Sequence, residues 1–234
     1  MDVLPYTRQI LSEPPSLYPA YTSTVSRSPR QPLVTIPQTL TEVTGPMAFG
    51  DRLFRPPVHD MTRQGKGEPL GERIIVSGRI LDDRGRPVPS TVVEIWQCNA
   101  AGRYIHKKDQ HDAPLDPNFT GQGRITTDEE GRYRFITIKP GAYPWRNHHN
   151  AWRPAHIHFS LLGRGFATRL ITQMYFPGDP LIDIDPIACA VPPEARQRMV
   201  SRFDIDTTES GWALGYVYDI VLRGRNETPM ENVK

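Results

Sequence analysis

The chain lacks most of the features that would set it apart from an ordinary globular domain. Only two of its 234 residues are cysteines, Cys98 and Cys189, and they lack the spacing of a zinc motif or a disulfide framework. We therefore expect two reduced thiols packed in apolar surroundings. No apolar run approaches the length of a membrane-spanning helix, and the N-terminus lacks a basic patch followed by an apolar run. These absences predict a cytoplasmic protein that does not span a membrane.

A dominant charge of one sign is also missing. The 28 basic and 26 acidic residues are interleaved along the chain and leave a formal net charge of +2. This pattern gives no broad basic face, so we do not expect a nucleic-acid ligand. The apolar share of 38% is enough to bury the core of one domain of the larger all-β type.

Proline is abundant, and it is concentrated near the N-terminus. Ten of the 24 prolines precede residue 58, in a segment with little helical periodicity. The pattern predicts an extended N-terminal arm over residues 1–72. The arm carries enough large side chains that we expect it to pack on its own core or on a partner chain. These anchors are Tyr6, Tyr18, Tyr21, Phe49, Leu53 and Phe54.

From residue 73 onward the apolar residues alternate with polar ones, which is typical of half-buried strands. The pattern predicts strands at 73–81, 91–97, 133–138, 155–162, 168–176 and 214–223. Only residues 192–203 have a helical pattern. Many short strands without alternating helices favour an all-β fold. We therefore predict an antiparallel β-sandwich with long loops and little helix as a catalytic domain over residues 73–234.

The sequence His156-Ile157-His158 lies in one of these predicted strands. Successive side chains of a strand point to opposite faces, so His156 and His158 would project together and form a two-nitrogen metal clamp. A zinc or iron(II) site would need a carboxylate that is not evident nearby, because Ile157 stands where an iron(II) triad often has one. A zinc or iron(II) enzyme with an unidentified carboxylate stays possible at this point. So does a transthyretin-like binding module whose histidines are surface residues.

Tyrosine is the potential ligand that the surroundings do supply. Tyr104 and Tyr143 lie in predicted loops rich in Gly, Pro and Asn. A phenol has a pKa of about 10, so it binds as phenolate only to a strongly Lewis-acidic ion, a requirement that iron(III) meets. The alternative is that both tyrosines are ordinary amphipathic anchors of their loops.

Three stretches around these residues form a recognisable pattern: GRYIHK at 102–107, PGAYPW at 140–145 and WRPAHIHF at 152–159. Together they closely resemble the intradiol ring-cleaving dioxygenases, and in particular the β chains of the branch that acts on protocatechuate. The likeness covers nearly the whole chain. It continues through RSPRQ at 27–31, TGP at 44–46, DPNF at 116–119 and DIVLRG at 219–224.

The resemblance implies one non-haem iron(III) per chain, with Tyr104, Tyr143, His156 and His158 as its ligands. In that family the residue matching Tyr143 is the axial ligand that leaves the metal when the substrate binds and takes up a phenolic proton. Arg153 matches an active-site arginine that stabilises negative charge on the substrate, and Gln173 matches its companion. The remaining matches are to residues that contact the substrate, namely Tyr21, Trp145 and Ile187.

The resemblance also implies a reaction and a partner. The expected activity is cleavage of protocatechuate with O2 to 3-carboxy-cis,cis-muconate. The expected partner is an α chain of the same fold, in a larger symmetric hetero-oligomer. Catechol and hydroxyquinol relatives carry a helical N-terminal region, so the proline-rich arm favours protocatechuate. Another catechol as substrate, or a non-catalytic binding module, are the alternatives.

Four further histidines lie near the proposed metal loops. We expect all of them to be solvent-facing loop residues, because histidine is seldom fully buried. The adjacent pair His148-His149 differs from the Gly-Pro type of sequence that the resemblance leads us to expect there. This difference concerns the shape of the loop and does not affect the ligand set. These histidines are His106, His111, His148 and His149.

Overall fold

The computed structural model describes residues 14–32, 34, 56–109, 111–145, 149, 152–163 and 170–231. Several features singled out in the sequence lie outside these residues. They are the predicted anchors Tyr6, Phe49, Leu53 and Phe54, the TGP stretch at 44–46, and His148.

The first sheet is organised around its longest strand, β1. Residues 73–79 of this strand pair with the antiparallel strand β4. On its other side it pairs in parallel with β10 and then with β11, and β10 pairs with β9. The strands are β1 (Arg73–Leu81), β4 (Arg132–Ile138), β9 (Arg202–Phe203), β10 (Leu214–Val217) and β11 (Ile220–Val221).

The second sheet is antiparallel throughout, with the order β3-β2-β7-β8. Its strands are β2 (Val92–Trp96), β3 (Gln122–Thr126), β7 (His156–Leu162) and β8 (Leu170–Tyr175). A separate two-stranded ribbon joins β5 (Tyr143–Pro144) to β6 (Trp152–Arg153). This ribbon includes Tyr143, which was predicted to lie in a loop, and it is close in sequence to the histidines of β7.

The two sheets enclose one apolar core, to which every second residue of the main strands contributes. Phe135 of β4 meets Phe159 of β7 across the core, with ring centroids 6.0 Å apart. The predicted β-sandwich is confirmed, and five of the six predicted strands fall within two residues of their predicted bounds. The parallel pairing of β1 with β10 and β11 was not predicted.

Two segments differ from the sequence-based prediction. Strand β3 was not predicted, because the segment contains Gly123 and only Ile125 of its side chains is fully buried. The predicted strand 214–223 is broken between β10 and β11. The break occurs where the chain moves from pairing with residues 74–77 of β1 to pairing with residues 80–81.

The described helices are short: α1 (Thr22–Arg27), α2 (Pro186–Ala190) and α3 (Pro193–Arg196). Three 3-10 turns accompany them, at Met61–Arg63, Pro180–Asp183 and Gln197–Met199. The helix predicted over 192–203 was therefore wrong in its extent, since α3 ends early and the segment finishes in β9. Within the described residues, no helix is long and apolar enough to cross a membrane.

The part of the predicted arm nearest the sandwich packs directly on it. Val58 donates its amide to Arg124 O at 2.7 Å, and Ile136 donates to His59 O at 2.8 Å. Met61 has no exposed surface and belongs to the main core. The division of the chain at residue 72 stays a prediction.

Candidate metal centre

The two histidines of β7 lie on the same face of the second sheet, as the alternation of a strand requires. Their ring centroids are 4.8 Å apart and their Nε2 atoms face each other at 3.2 Å. Ile157, between them in sequence, points into the apolar core. Both imidazoles are buried or nearly so, with 0% and 9% of the residue exposed for His156 and His158.

The outer nitrogen of each ring is held by an acceptor, which fixes the tautomer. Nδ1 of His156 lies 2.7 Å from Pro154 O, and Nδ1 of His158 lies 2.7 Å from a carboxylate oxygen of Glu231. Oxygens of these types only accept hydrogen bonds, so each Nδ1 carries a proton. In the neutral rings both Nε2 lone pairs then point to one place. Such an arrangement suits a bound cation.

Burial and the nearby charge of Arg153 hold the pKa of His156 well below its usual value. This ring is therefore neutral and available as a ligand at pH 7. The ring of His158 is held from one side by Trp96, its cross-strand partner in β2. The two rings stack with centroids 4.6 Å apart and planes 5° apart.

Tyr104 reaches the same place from the loop after β2. Asn99 folds the start of this loop, because its side-chain oxygen accepts from the amides of Ala101 and Arg103 at 3.0 and 2.9 Å. Gly102 then passes so close to the neighbouring loop that a Cβ there would lie 2.3 Å from Ala142 O, and its φ is +77°. Glycine is therefore required at this position. Just beyond it, the amide of Tyr104 donates to Asp109 at 2.7 Å.

Tyr143 approaches on the short ribbon, where it is paired directly with Arg153 of β6. The ring centroid of Tyr143 is 5.3 Å from that of Tyr104 and 5.5 Å from that of His156. The ring of Tyr104 is 6.4 Å from that of His158. The structure therefore brings together all four side chains predicted as metal ligands.

Burial raises the pKa of both phenols, and the charge of Tyr143 adds to the effect on Tyr104. Both are protonated at neutral pH unless a cation compensates the phenolate charge. The Tyr104 oxygen is buried and has no geometrically acceptable hydrogen-bond partner among the residues that the structure describes. A buried polar atom without a partner is costly, so this oxygen is suited to a ligand outside the polypeptide.

The residues of this site fit iron(III). The site offers two neutral imidazole nitrogens and two phenol oxygens, and phenolate is a strong ligand for iron(III). Across the described part of the chain, no group of three His, Cys, Asp or Glu side chains is placed to hold a metal. The zinc or iron(II) alternative with a third ligand of those types is therefore not supported.

Arg153 lies behind the four candidate ligands, with 2% of its surface exposed. Its Nε and Nη2 atoms donate to the two oxygens of Asp185, both at 2.9 Å. Nη2 also donates to Gln173 Oε1 at 2.6 Å, while Nη1 lies 3.2 Å from His156 Nε2 and 3.5 Å from the Tyr143 oxygen. The predicted pair of Arg153 and Gln173 is thus in contact.

Burial alone would lower the pKa of Arg153, but Asp185 and the nearby phenols raise it well above its usual value. The guanidinium is therefore a permanent cation whose charge is already largely compensated by Asp185. It is oriented towards Tyr143 and His156. The expected role of Arg153, stabilising negative charge on the substrate, stays a prediction.

Sequence reasoning missed Asp185 and Tyr175, which complete the arginine cluster. The Tyr175 hydroxyl donates to Gln173 Oε1 and Asp185 Oδ2 at 2.9 Å each. Asp185 also caps α2, since it accepts from the Ala188 amide at 3.1 Å. The Asp-Pro sequence at 185–186 could have predicted the helix start, because Asp is a common N-cap and Pro a common first helical residue. No local signal indicated its contact with Arg153.

Glu231 was also missed. Its Oε2 accepts from His158 Nδ1 at 2.7 Å and from Gln173 Nε2 at 2.8 Å. Burial raises its pKa, but the interactions with His158 and Gln173 more than offset this, so its net pKa lies below the usual value. The group is an ionised carboxylate at pH 7. Its position near the end of the chain gave no indication of this contact.

A cavity of about 710 Å³ opens beside the candidate metal centre. Its size is within the range of small-molecule sites. Three candidate ligands line it, together with Trp145, which the sequence assigned to the substrate pocket. The full lining is Trp96, Tyr104, His106, Lys108, Asp109, His111, Asp112, Tyr143, Pro144, Trp145 and His158.

The other two residues assigned to the substrate, Tyr21 and Ile187, are not part of this lining. Tyr21 packs edge-on against Trp145 with ring centroids 5.0 Å apart, and the guanidinium of Arg27 lies 4.6 Å above the Tyr21 ring. Ile187 is 4% exposed in α2, two residues after Asp185. Of the predicted loop histidines, His106 and His149 are exposed, whereas His111 is half-buried, with its Nδ1 3.0 Å from Gly102 O.

Comparison with known proteins gives two family matches along the chain. Residues 43–224 match the family described as "Dioxygenase". Residues 6–39 match the family described as "Protocatechuate 3,4-dioxygenase beta subunit N terminal". Together the two matches cover almost the whole sequence.

Individual relatives agree with these matches. The chain is 60% identical to the protocatechuate 3,4-dioxygenase beta chain of Burkholderia cepacia over 94% of both chains. It is 29% identical to the alpha chain from the same organism, over 68% of this chain and 76% of that one. Among solved structures, 3-chlorocatechol 1,2-dioxygenase from Rhodococcus opacus 1CP matches with a TM-score of 0.54 and 27% identity, over 71% of this chain and 65% of that one.

Proposed function

This chain belongs to the intradiol ring-cleaving dioxygenase family, and from that premise we propose that it cleaves protocatechuate with O2 to 3-carboxy-cis,cis-muconate. The 60% identity to a protocatechuate 3,4-dioxygenase beta chain over nearly the full length supports this substrate. The observation that carries the proposal is the convergence of two tautomer-fixed histidines and two half-buried tyrosines beside a cavity. A non-catalytic binding module would not require these four side chains to converge.

The proposed ligands of one non-haem iron(III) per chain are Tyr104, Tyr143, His156 and His158. When bound, iron(III) supplies a Lewis acid that draws electron density from a chelating catecholate and so makes its ring reactive towards O2. The protein supplies fixed donors: the Nδ1 contacts keep both Nε2 atoms directed inward, and the loop around Gly102 places the Tyr104 oxygen.

Tyr143 has a second role in this proposal, as an acid-base group. A catechol that chelates a metal loses two phenolic protons, and the Tyr143 oxygen is placed to accept one of them. Arg153 lies 3.5 Å from that oxygen and favours its anionic form beforehand. The two hydrogen bonds from Arg153 to Asp185 keep the guanidinium in this position during turnover.

The cavity is proposed to hold the substrate ring between Trp145 and the candidate ligands. Gln173 keeps Arg153 oriented. Ile187 is buried in α2, the helix that Asp185 caps. We assign the substrate carboxylate to the end of the cavity near Tyr21, where Arg27 adds a positive charge.

The chain is further proposed to work with an α chain of the same fold, as the paired names of the two Burkholderia cepacia relatives indicate for those proteins. A larger symmetric hetero-oligomer and a cytoplasmic location stay predictions.

The test is O2 consumption by the chain, purified with an α chain and assayed for iron, on adding protocatechuate or catechol. We expect O2 to be consumed in a one-to-one ratio with protocatechuate, more slowly with catechol, and barely at all by the Tyr143→Phe variant. A folded, iron-containing protein that consumes no O2 with protocatechuate would overturn the proposal.

A further inference from the structure

Glu231 occupies a position that the proposed reaction does not explain. One of its oxygens, Oε2, accepts two hydrogen bonds, from His158 Nδ1 at 2.7 Å and from Gln173 Nε2 at 2.8 Å. The side chain is 15% exposed, so solvent competes little for these contacts. Gln173 in turn accepts from Arg153 at 2.6 Å. A single carboxylate oxygen therefore links a candidate metal ligand to the arginine cluster.

The backbone around Glu231 is fixed on β8, so the carboxylate has little freedom to move. The Glu231 amide donates to Ile171 O at 2.9 Å, and the Thr172 hydroxyl donates to Pro229 O at 2.7 Å. Met230 is 7% exposed and belongs to the main core. The segment after β11 is thus built into the sandwich next to the candidate metal centre.

The contacts of His158 divide into two kinds. Trp96 stacks on the ring and fixes its plane, but a stacked ring cannot decide which nitrogen carries the proton. The carboxylate of Glu231 can, because it accepts only at Nδ1 and leaves Nε2 as a lone pair directed towards His156. The partner of His156 is an uncharged carbonyl, Pro154 O. The two histidines therefore differ in donor strength, with His158 the stronger.

We propose that Glu231 is a positioning residue of the metal centre, which holds His158 in its ligating tautomer, strengthens it as a donor and joins it through Gln173 to Arg153. This inference rests on the proposed function, since it concerns iron(III) bound by His158. A carboxylate behind a ligating histidine typically contributes a factor of about 10 to 100 in metal affinity or activity.

The main test is the Glu231→Gln variant, which keeps the size of the side chain and removes its charge. We expect iron to be lost to a competing chelator about 10 to 100 times faster than from the wild-type protein. We also expect the tyrosinate-to-iron(III) absorption band to move to longer wavelength, because a weaker His158 donor leaves the metal a stronger electron acceptor. Glu209→Gln is the matched control. Its carboxylate is half exposed and pairs with Arg134 on the first sheet, so neither value should change.

A second variant, Glu231→Ala, separates positioning from packing. We expect a larger band shift than in Glu231→Gln, and partial return of the wild-type band when formate is added to occupy the vacated position. Thermal unfolding of each variant shows whether the chain is folded. A purely structural role would lower the unfolding temperature without moving the band of the folded protein.

The inference is overturned if Glu231→Gln matches the wild-type protein in both band position and rate of iron loss. Wild-type protein that binds no iron would instead contradict the proposed function, and the inference with it. The two failures are distinguishable because the first is judged on variants of a coloured, iron-containing protein.

Discussion

The two sheets of the sandwich are built from similar strands but bury different kinds of residues. In the first sheet, β1 places Ile74, Val76 and Ile80 in the core, and its buried side chains are all apolar. In the second sheet, β7 is buried on both faces. Its core face is apolar, whereas its other face carries His156, His158 and Ser160. The comparison shows how one strand can serve stability on one face and chemistry on the other.

The polar face of the second sheet is buried because loops, the β5-β6 ribbon and the segment after β11 cover it. Buried polar groups are costly unless they are paired, and here nearly all of them are. Gln173 of β8, which pairs with His158 in the sheet, contacts both Arg153 and Glu231. Among the described residues the buried Tyr104 oxygen has no such partner, and we propose that it binds the metal.

If the two faces of β7 have separate functions, then a substitution on the polar face should have the largest effect on iron content and activity. We expect His158→Ala to lose most of its iron, its colour and its ring-cleaving activity while remaining folded. His59→Ala is the matched control, because His59 is exposed and lies in a separate cavity beside β1 and β4 that none of the four candidate ligands lines. Iron content and circular dichroism check this. Retention of a full complement of iron by His158→Ala would refute the assignment.

A change behind the ligands should affect both stability and chemistry. Asp185→Asn leaves the Arg153 guanidinium without its buried counter-charge. Removing one partner of a buried ion pair typically costs about 3–5 kcal/mol in the free energy of unfolding. We expect a loss of that order in urea unfolding, together with a lower kcat for ring cleavage. A variant as stable and active as the wild-type protein would show that the pair is not coupled to the site.

A change on the core face of β7 should affect stability alone. Ile157 lies between the two histidines in sequence but points into the core, with no exposed surface. We expect Ile157→Val to lower the free energy of unfolding by about 0.5–1.5 kcal/mol. The position of the visible band and the iron content should not change. A shifted band in this variant would mean that the two faces are not independent.

We expect the smallest effect, a small loss of stability, from a substitution in a surface turn beside the first sheet. Asp82 accepts from the amides of Arg84 and Arg86 and from the Arg86 side chain, and its pKa is lowered from 3.8 to about 2. The lowered pKa means that the ionised form stabilises the fold, fully above pH 4 and progressively less as the pH falls towards 2. Asp82→Asn should therefore be slightly less stable at pH 7.

This difference between Asp82→Asn and the wild-type protein should shrink on acidification, as measured by urea unfolding at a series of pH values. The visible band should be unaffected at every pH at which both proteins are folded. A difference that grows as the pH falls would contradict the lowered pKa.

The sequence alone predicted those features of the fold and the site that depend on residues close together in the chain. The alternation of β7 is local, so the sequence predicted that His156 and His158 would lie together. Tyr104 and Tyr143 were assigned through the resemblance of their flanking motifs, since residues 39 positions apart carry no spacing rule of their own.

The supporting residues could not be predicted in the same way. Asp185 and Glu231 reach the site only through tertiary packing, across 32 and 73 residues from their partners Arg153 and His158. Strand β3 was missed because its polar side chains and Gly123 weaken the alternation, and its pairing with β2 supplies what its sequence lacks. The positions of Asp185 and Glu231 and the formation of β3 therefore depend on contacts between residues that are far apart in the sequence.

The most direct test of the account is the visible absorption spectrum of the chain purified with its α chain, before and after anaerobic addition of protocatechuate. We expect a tyrosinate-to-iron(III) band that shifts when the substrate binds, because transfer of a substrate proton to Tyr143 would remove one tyrosinate from the proposed ligand set. A folded complex that is colourless and contains no iron would contradict the assignment of Tyr104, Tyr143, His156 and His158 to a metal centre.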